Sequence, residues 1–98
     1  MRLLFALCLC ISSSAFAHGT SNDNSARNMA ATCANCHGTD GHSVGSVAQL
    51  AGKPAQDTIA KLSEFKQGTR PATIMHQIAK GFTDEQIKLI ADYFAAQK

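Results

Sequence analysis

The sequence predicts an all-α fold of about four short helices. Apolar residues recur at helical spacing in four stretches of the chain, and glycine and proline residues separate those stretches. No stretch alternates apolar and polar residues in the way that a half-buried strand does. With 98 residues, the chain has room for a single small domain.

The N-terminus has the three parts of a cleavable secretory signal. Arg2 supplies the positive charge, residues 3–11 are continuously apolar, and an A-x-A cleavage site ends at Ala17. We therefore predict a signal peptide over residues 1–17 and export to the periplasm. The apolar stretch is about half of the roughly 20 residues that a transmembrane helix needs. An uncleaved membrane anchor is thus the less favoured alternative, and no transmembrane anchor is expected after cleavage.

The charge of the mature chain argues against a nucleic-acid-binding protein, and its cysteine content argues against a domain stabilised by disulfides. Removal of Arg2 lowers the formal charge from +2 to +1, and no basic stripe of the kind that binds nucleic acid remains. Cys8 and Cys10 leave with the signal, so the mature chain keeps only Cys33 and Cys36. A pair so close in sequence cannot join distant parts of a fold, although a domain this small usually needs disulfides or a metal. We therefore expect another source of core material.

The first half of the mature chain contains one predicted helix and a long loop. Residues 18–24 are polar and are predicted to form a flexible leader, which leaves residues 25–98 as the folded domain. A helix is predicted over residues 25–36, because apolar residues recur at i, i+3, i+4 and i+7. Gly38 is suited to end this helix, and residues 39–53 are predicted to form a loop. Four apolar residues of the loop are expected to lie against buried surface: Val44, Val47, Leu50 and Ala51.

The second half is predicted to contain three further helices. Pro54 suits the first turn of a helix that ends at Gly68. Its apolar face consists of Ile59, Leu62 and Phe65. A short helix is predicted over residues 72–80. Thr83 and Gln86 form the capping-box pattern that starts the last helix, and the core positions of that helix are Ile87, Ile90, Ala91 and Phe94.

Cys33, Cys36 and His37 form a C-x-x-C-H pentapeptide, which is typical of the attachment site of a c-type haem. On a helix with about 3.6 residues per turn, the three side chains fall on one face. The two thiols can form thioethers with the porphyrin, and the imidazole can bind the iron as the proximal axial ligand. We predict one covalently attached haem c at these residues. This large apolar cofactor would supply the missing core material.

Two other kinds of site use cysteines at this spacing. A redox dithiol is expected within a βαβ unit, and no strand pattern is present. Tetrahedral zinc needs two ligands besides the cysteines, which the scattered His42 and His76 could supply only by coincidence. Both alternatives are less favoured than haem.

The second axial iron ligand is predicted to be Met75. A complete helix separates it from the motif, which allows it to reach the opposite face of the haem. Met29 shares the helix of the proximal ligand and is better explained by helix packing, whereas His42 is too close to the motif and His18 lies in the leader. His76 remains the alternative. A thioether is buried at no desolvation cost, but an imidazole needs a partner for its second nitrogen.

The predicted ligand pair has a functional consequence. A thioether opposite histidine favours ferrous iron and raises the reduction potential. Iron with both axial positions filled has no open site for oxygen or peroxide. The predicted chemistry is therefore one-electron transfer without bond making, and the chain is not expected to be an enzyme. A gas- or peroxide-binding haem protein with Met75 dissociated is the alternative.

Residues 25–97 resemble the class I c-type cytochromes. Members of that family have the C-x-x-C-H near the N-terminus and the methionine ligand toward the C-terminus, as in this sequence. The resemblance implies the class I cytochrome c fold, with the helices wrapped around one covalently attached haem. It also implies that the first helix crosses the last. Ser25 and Met29 would then face Tyr93 and Phe94, although the family usually has glycine and an aromatic residue at the first two positions.

A more specific resemblance lies at and beyond the motif. Residues 33–41, 50–52 and 84–94 are similar to the small haem domains that occur singly or in pairs in bacterial electron carriers. Residues 70–81 resemble the haem subunit of flavocytochrome c sulfide dehydrogenases, in which a flavoprotein oxidises sulfide and passes electrons to the cytochrome. Many such subunits have two haem domains, and this chain has one. The resemblance implies the electron-accepting subunit or partner of a flavoprotein dehydrogenase. A free soluble carrier to a terminal oxidase or reductase is the alternative.

Surface charges offer candidates for the docking of a redox partner. Charges at the rim of an interface act mainly on the association rate. The candidates for steering an acidic partner are Lys53, Lys80 and Lys88. The alternative is that these lysines are solvated residues without a role.

Overall fold

The computed structural model describes residues 21–98, and this part of the chain is built from helices. Four α-helices follow one another as α1 (Ser21–His37), α2 (Ala55–Gln67), α3 (Met75–Lys80) and α4 (Asp84–Ala95). A short 3-10 helix, Thr39–Gly41, lies between α1 and α2. Residues 21–98 contain no strand. The predicted all-α fold of about four helices is therefore confirmed.

Helix α1 includes four residues that were predicted to precede it. Residues 21–24, the second part of the predicted leader, are helical. Asp23 lies in the first turn, where a carboxylate interacts favourably with the positive end of the helix dipole. Residues 18–20 of the leader and the predicted signal peptide, residues 1–17, lie outside the described residues.

Helix α3 is shorter than predicted. It begins at Met75, whereas the sequence pattern predicted a start at residue 72. Ile74 precedes the helix with φ −136°, which is outside the helical region of backbone conformation. Helix α2 ends as predicted, because Gly68 adopts the left-handed conformation with φ 79° and its N–H donates to the carbonyl of Phe65.

Helix α4 provides the largest fully buried side chains of the described residues. The predicted capping box is present, since the Thr83 hydroxyl accepts from the Gln86 N–H and the Gln86 side chain accepts from the Thr83 N–H. The predicted core positions are all buried, with exposed fractions between 0 and 2%: Ile87, Ile90, Ala91 and Phe94. The apolar spacing of this helix therefore predicted its buried face correctly.

Helices α1 and α4 pack together, but not through all of the expected residues. Ser25 is exposed, and the buried small residues of α1 are Ala26 and Ala30. Ala30 forms a core cluster with Ile90 and Phe94, against which Met29 and Tyr93 pack. Positions 26 and 30 are four residues apart and therefore lie on the same helix face. Met29 has the packing role that was predicted for it.

The loop after α1 is attached to the end of α4. Gly41 has φ 80°, and a Cβ at this position would lie 2.7 Å from the Phe94 ring, so the close approach requires glycine. The Gly41 carbonyl accepts from the N–H groups of Leu50 and Ala51. The Gly52 N–H donates to the Phe94 carbonyl at 2.9 Å. These contacts close the loop into a fixed shape beside α4.

The apolar residues of this loop divide into two groups. Ala51 is buried and Leu50 packs against the core cluster, as expected. Val44 is fully exposed and Val47 is 42% exposed, so the expectation of burial is wrong for these two residues. The hydrogen bonds of Gly41 hold only the second half of the loop against the protein, which explains the division.

Candidate haem site

The C-x-x-C-H residues lie in the last turns of α1. The helix continues to His37, and the Gly38 N–H donates to the Ala34 carbonyl at 3.0 Å. Cys33 is half-buried and packs against the core cluster, whereas Cys36 is exposed. The two cysteines do not form a disulfide. The helix therefore presents two thiols and an imidazole from one of its ends, as the motif requires.

The His37 ring is oriented by the backbone of the loop. Its Nδ1 lies 2.6 Å from the Ala48 carbonyl oxygen. A carbonyl oxygen only accepts hydrogen bonds, so this contact places the ring proton on Nδ1 and leaves the lone pair on Nε2. Metal-binding histidines are commonly held by this kind of bond to the second nitrogen. The sequence offered no sign of the role of Ala48, because the contact depends on the loop conformation.

The environment of Cys33 does not suit a reactive thiol. Burial raises the pKa of the Cys33 thiol, and a hydrogen bond with Thr32 opposes this effect only in part. Redox-active cysteines instead have a lowered pKa that favours the thiolate. Across residues 21–98 there is also no strand that would form a βαβ unit, and no three His, Cys, Asp or Glu side chains are arranged as a metal site. The dithiol and zinc alternatives therefore have no structural support in this part of the chain.

Met75 and His76 fall in the same intermediate range of exposure. Met75 is the first residue of α3, His76 is the second, and both are half-buried. The sequence argument favoured Met75 because a thioether is buried at no desolvation cost, but burial does not distinguish the two residues. The difference between the side chains is therefore chemical, because a thioether has no second polar atom to satisfy.

The residues present fit a haem group. The donor set combines two thiols, an imidazole with a free Nε2 and a thioether, which are the groups that attach and ligate haem c. Apolar side chains next to Met75 remain accessible, since Ile74 is 58% exposed and Ile78 is 37% exposed. Exposed aliphatic side chains of this kind can be covered by a large apolar cofactor.

A hydrogen bond joins the loop after the motif to α4. The Tyr93 hydroxyl donates to Asp40 Oδ1 at 2.6 Å. This bond to the carboxylate, with a smaller contribution from burial, raises the pKa of Tyr93. Asp40 has φ 52°, in the left-handed region that aspartate tolerates better than most residues. Sequence reasoning missed this pair, because its members are 53 positions apart.

No helix of residues 21–98 has both the length and the apolar character needed to cross a membrane.

The three lysines proposed for steering differ in their surroundings. Lys53 and Lys80 are exposed, whereas Lys88 forms an ion pair with Asp92 one turn further along α4. Pairing cancels much of the field of Lys88, so it is the weakest of the three candidates.

Comparison with known proteins places the chain in a family. Residues 20–94 match the family described as "Cytochrome C oxidase, cbb3-type, subunit III". The cytochrome subunit of sulfide dehydrogenase from Chlorobaculum tepidum is 44% identical over 66 residues, which cover 67% of this chain and 60% of that protein. Cytochrome c-553 from Desulfomicrobium norvegicum is 33% identical over 76 residues, which cover 74% of this chain and 95% of that protein.

A solved structure agrees with these relatives. The cytochrome c4 of Acidithiobacillus ferrooxidans matches with a TM-score of 0.63 and 42% identity, over 65% of this chain and 37% of that chain. The present chain thus spans less than two thirds of the sulfide dehydrogenase subunit and of cytochrome c4. Proteins of this family bind haem c covalently and transfer electrons rather than act as enzymes. The chain belongs to the class I c-type cytochromes, within the family described as cytochrome c oxidase, cbb3-type, subunit III.

Proposed function

We propose that this chain is a periplasmic cytochrome that transfers one electron at a time through a single His/Met-ligated haem c. The observation that carries the proposal is the C-x-x-C-H at the end of α1, with His37 Nδ1 held at 2.6 Å from the Ala48 carbonyl. Cys33 and Cys36 would hold the haem through thioethers. His37 Nε2 and the Met75 sulfur would bind its iron, and the bound group would supply a one-electron redox couple.

Each protein group has a defined task in this proposal. The Ala48 carbonyl fixes the orientation of the imidazole and increases its basicity as a ligand. Met75 would supply a neutral thioether as the second iron ligand, which would keep oxygen and peroxide from the iron and raise the reduction potential. The haem would therefore accept and donate electrons without the formation or breakage of covalent bonds. The signal pattern of residues 1–17 supports the periplasmic location.

The electron donor is proposed to be a flavoprotein dehydrogenase that oxidises sulfide. Two observations support this partner: the resemblance of residues 70–81 and the 44% identity with a sulfide dehydrogenase cytochrome subunit. The second candidate is a free carrier to a terminal oxidase or reductase. It is favoured by the match to cytochrome c-553, since a domain of this size makes up almost the whole of that protein.

Three measurements on the exported protein test the haem assignment. We expect the haem to remain with the polypeptide in a denaturing gel. The oxidised protein is expected to show the near-infrared sulfur-to-iron charge-transfer band, and the reduced protein is expected not to bind carbon monoxide. Loss of the haem in the gel would contradict covalent attachment. Carbon monoxide binding would support a gas- or peroxide-binding function instead.

Purification of the native protein with a bound flavoprotein would decide between the two partners.

Steering by lysines is testable with two small oxidants of opposite charge. Changing both Lys53 and Lys80 to alanine is expected to slow oxidation by ferricyanide about two- to fivefold at low salt, because the positive field that attracts an anion is weakened. Oxidation by a cationic cobalt complex is expected to become faster. Stopped-flow absorbance measures both rates, and added salt is expected to reduce both effects.

The matched control is the double variant Lys53→Arg and Lys80→Arg, which keeps both positive charges. Its rates with both oxidants are expected to equal those of the wild type. If the double alanine variant reacts with ferricyanide at the wild-type rate over the whole salt range, the two lysines have no steering role.

A further inference from the structure

Three consecutive residues in the last turn of α2 contact both ends of the segment that contains Met75. These residues, Glu64, Phe65 and Lys66, are called the α2 clasp below, and residues 70–82 are called the Met75 segment. At the start of the segment, Arg70 Nε donates to Glu64 Oε2 at 2.6 Å. The Arg70 guanidinium also lies 5.7 Å from the centre of the Phe65 ring, within the range of a cation–π interaction.

The other end of the Met75 segment is held by Lys66. Its Nζ donates to the Phe82 carbonyl at 2.7 Å and lies 3.4 Å from Asp84 Oδ1. The Lys66 side chain is 32% exposed, and the bond to Phe82 is partly buried. The Phe82 carbonyl belongs to the short connection between α3 and α4. Lys66 therefore fixes the point at which the Met75 segment reaches α4.

The Met75 segment has little structure of its own to fix its position. Helix α3 has only six residues, and a helix of this length is not stable by itself. Ile74 and Ile78 project apolar side chains that remain substantially exposed. The hydrogen bonds and the ion pair described above thus attach each end of the Met75 segment to the much longer α2.

We propose that Glu64, Lys66 and Arg70 are positioning residues for Met75, which hold its sulfur at the sixth iron position against competing ligands. The inference rests on the proposed role of Met75 as the distal ligand. When the clasp is weakened, the Met75 segment moves away more often, and the fraction of protein with an open sixth position increases. A competing ligand then binds with an apparent affinity that increases in proportion to that fraction.

The expected effects follow from the exposure of the contacts. Side chains of the Arg70–Glu64 pair are 39% and 44% exposed, so solvent screens much of their attraction. Single replacements are therefore expected to increase the open fraction about two- to fivefold, as for surface ion pairs. Removal of both the Arg70 contact and the Lys66 contact is expected to increase the open fraction about tenfold, if the two contacts act independently.

Imidazole binding to the oxidised holoprotein tests the proposal. Imidazole replaces the thioether, and disappearance of the near-infrared charge-transfer band reports the replacement. We expect Arg70→Ala and Lys66→Ala each to increase the apparent imidazole affinity by about two- to fivefold. Arg70→Lys keeps the charge but lacks the planar guanidinium, so we expect an intermediate value.

Lys88→Ala is the matched control, because it removes an exposed lysine and its ion pair with Asp92 from a site outside the clasp. Its imidazole affinity is expected to equal that of the wild type. Should Arg70→Ala fold poorly, Glu64→Gln keeps a hydrogen-bond acceptor while removing the charge, and it is expected to increase the affinity about twofold.

Two results would contradict the proposal, and they differ in whether the ligand assignment also fails. If the wild type shows the band, Met75→Ala lacks it, and the clasp variants bind imidazole like Lys88→Ala, the clasp is refuted and the ligand assignment stands. If the wild type lacks the band, Met75 is not the ligand, and the proposed function and the clasp are both overturned.

Discussion

Replacement of Met75 by alanine is expected to leave the haem covalently attached and to open the sixth iron position. The thioethers form at Cys33 and Cys36, which this change does not touch. Without the thioether, the near-infrared charge-transfer band is expected to disappear and the reduced protein is expected to bind carbon monoxide. The reduction potential is expected to fall by on the order of 0.1 V, since axial ligands set haem potentials over a range of about 0.8 V. Absorbance spectra and a redox titration measure these effects.

Met29→Ala is the control for that replacement. Met29 packs against the core cluster from α1, so its loss is expected to lower stability while the band and the potential stay unchanged. His76→Ala tests the neighbouring candidate, because both residues are half-buried. A Met75→Ala protein with unchanged potential and no carbon monoxide binding would make His76 the first suspect for the distal ligand.

Replacement of Phe94 by alanine is expected to destabilise the protein by about 3–5 kcal/mol. Its ring is fully buried, forms the core cluster with Ala30 and Ile90, and is contacted edge-on by Tyr93 at 5.5 Å. A loss of this size corresponds to a decrease in Tm of about 12 °C or more for a domain of this length. Thermal unfolding of the holoprotein, followed by circular dichroism, measures the change.

Val44→Ala is the matched control for the core replacement, since Val44 is an apolar residue that is fully exposed. Its effect on stability is expected to stay within about 0.5 kcal/mol. Phe94→Leu keeps a large apolar side chain and is expected to fall between the two. If Phe94→Ala unfolds within a few degrees of the wild type, the contact between α1 and α4 contributes much less than its burial indicates.

Helix α4 shows which structural features local sequence patterns predict well. Its capping box connects Thr83 and Gln86, and its apolar residues are three or four positions apart, so the relevant interactions lie within a single helix. The start of α3 was predicted less accurately. Ile74 lies within the helix that the sequence pattern predicted, but its φ of −136° is not helical. This conformation follows from the path of the chain from α2 to α3. A local pattern contains no information about such a path.

The helix crossing and the surface charges show a similar contrast. The crossing of α1 and α4 was expected from a family resemblance, yet Ala26 and Ala30 are buried there and Ser25 is exposed. Lys88 was expected to steer a partner, and the structure pairs it with Asp92. For the crossing, the sequence identified the two helices, and the orientation of the side chains decided which of their residues are buried.

The sequence by itself determined the all-α fold, the helix that places Cys33, Cys36 and His37 together, and membership of a haem-binding class. Each of these depends on spacings of three or four residues within one helix. The tertiary structure decided how the histidine and Met75 are held. The Ala48 carbonyl orients His37, and the α2 clasp contacts both ends of the Met75 segment. These contacts join residues from different elements, and their geometry follows from how loops close and helices pack rather than from any local pattern.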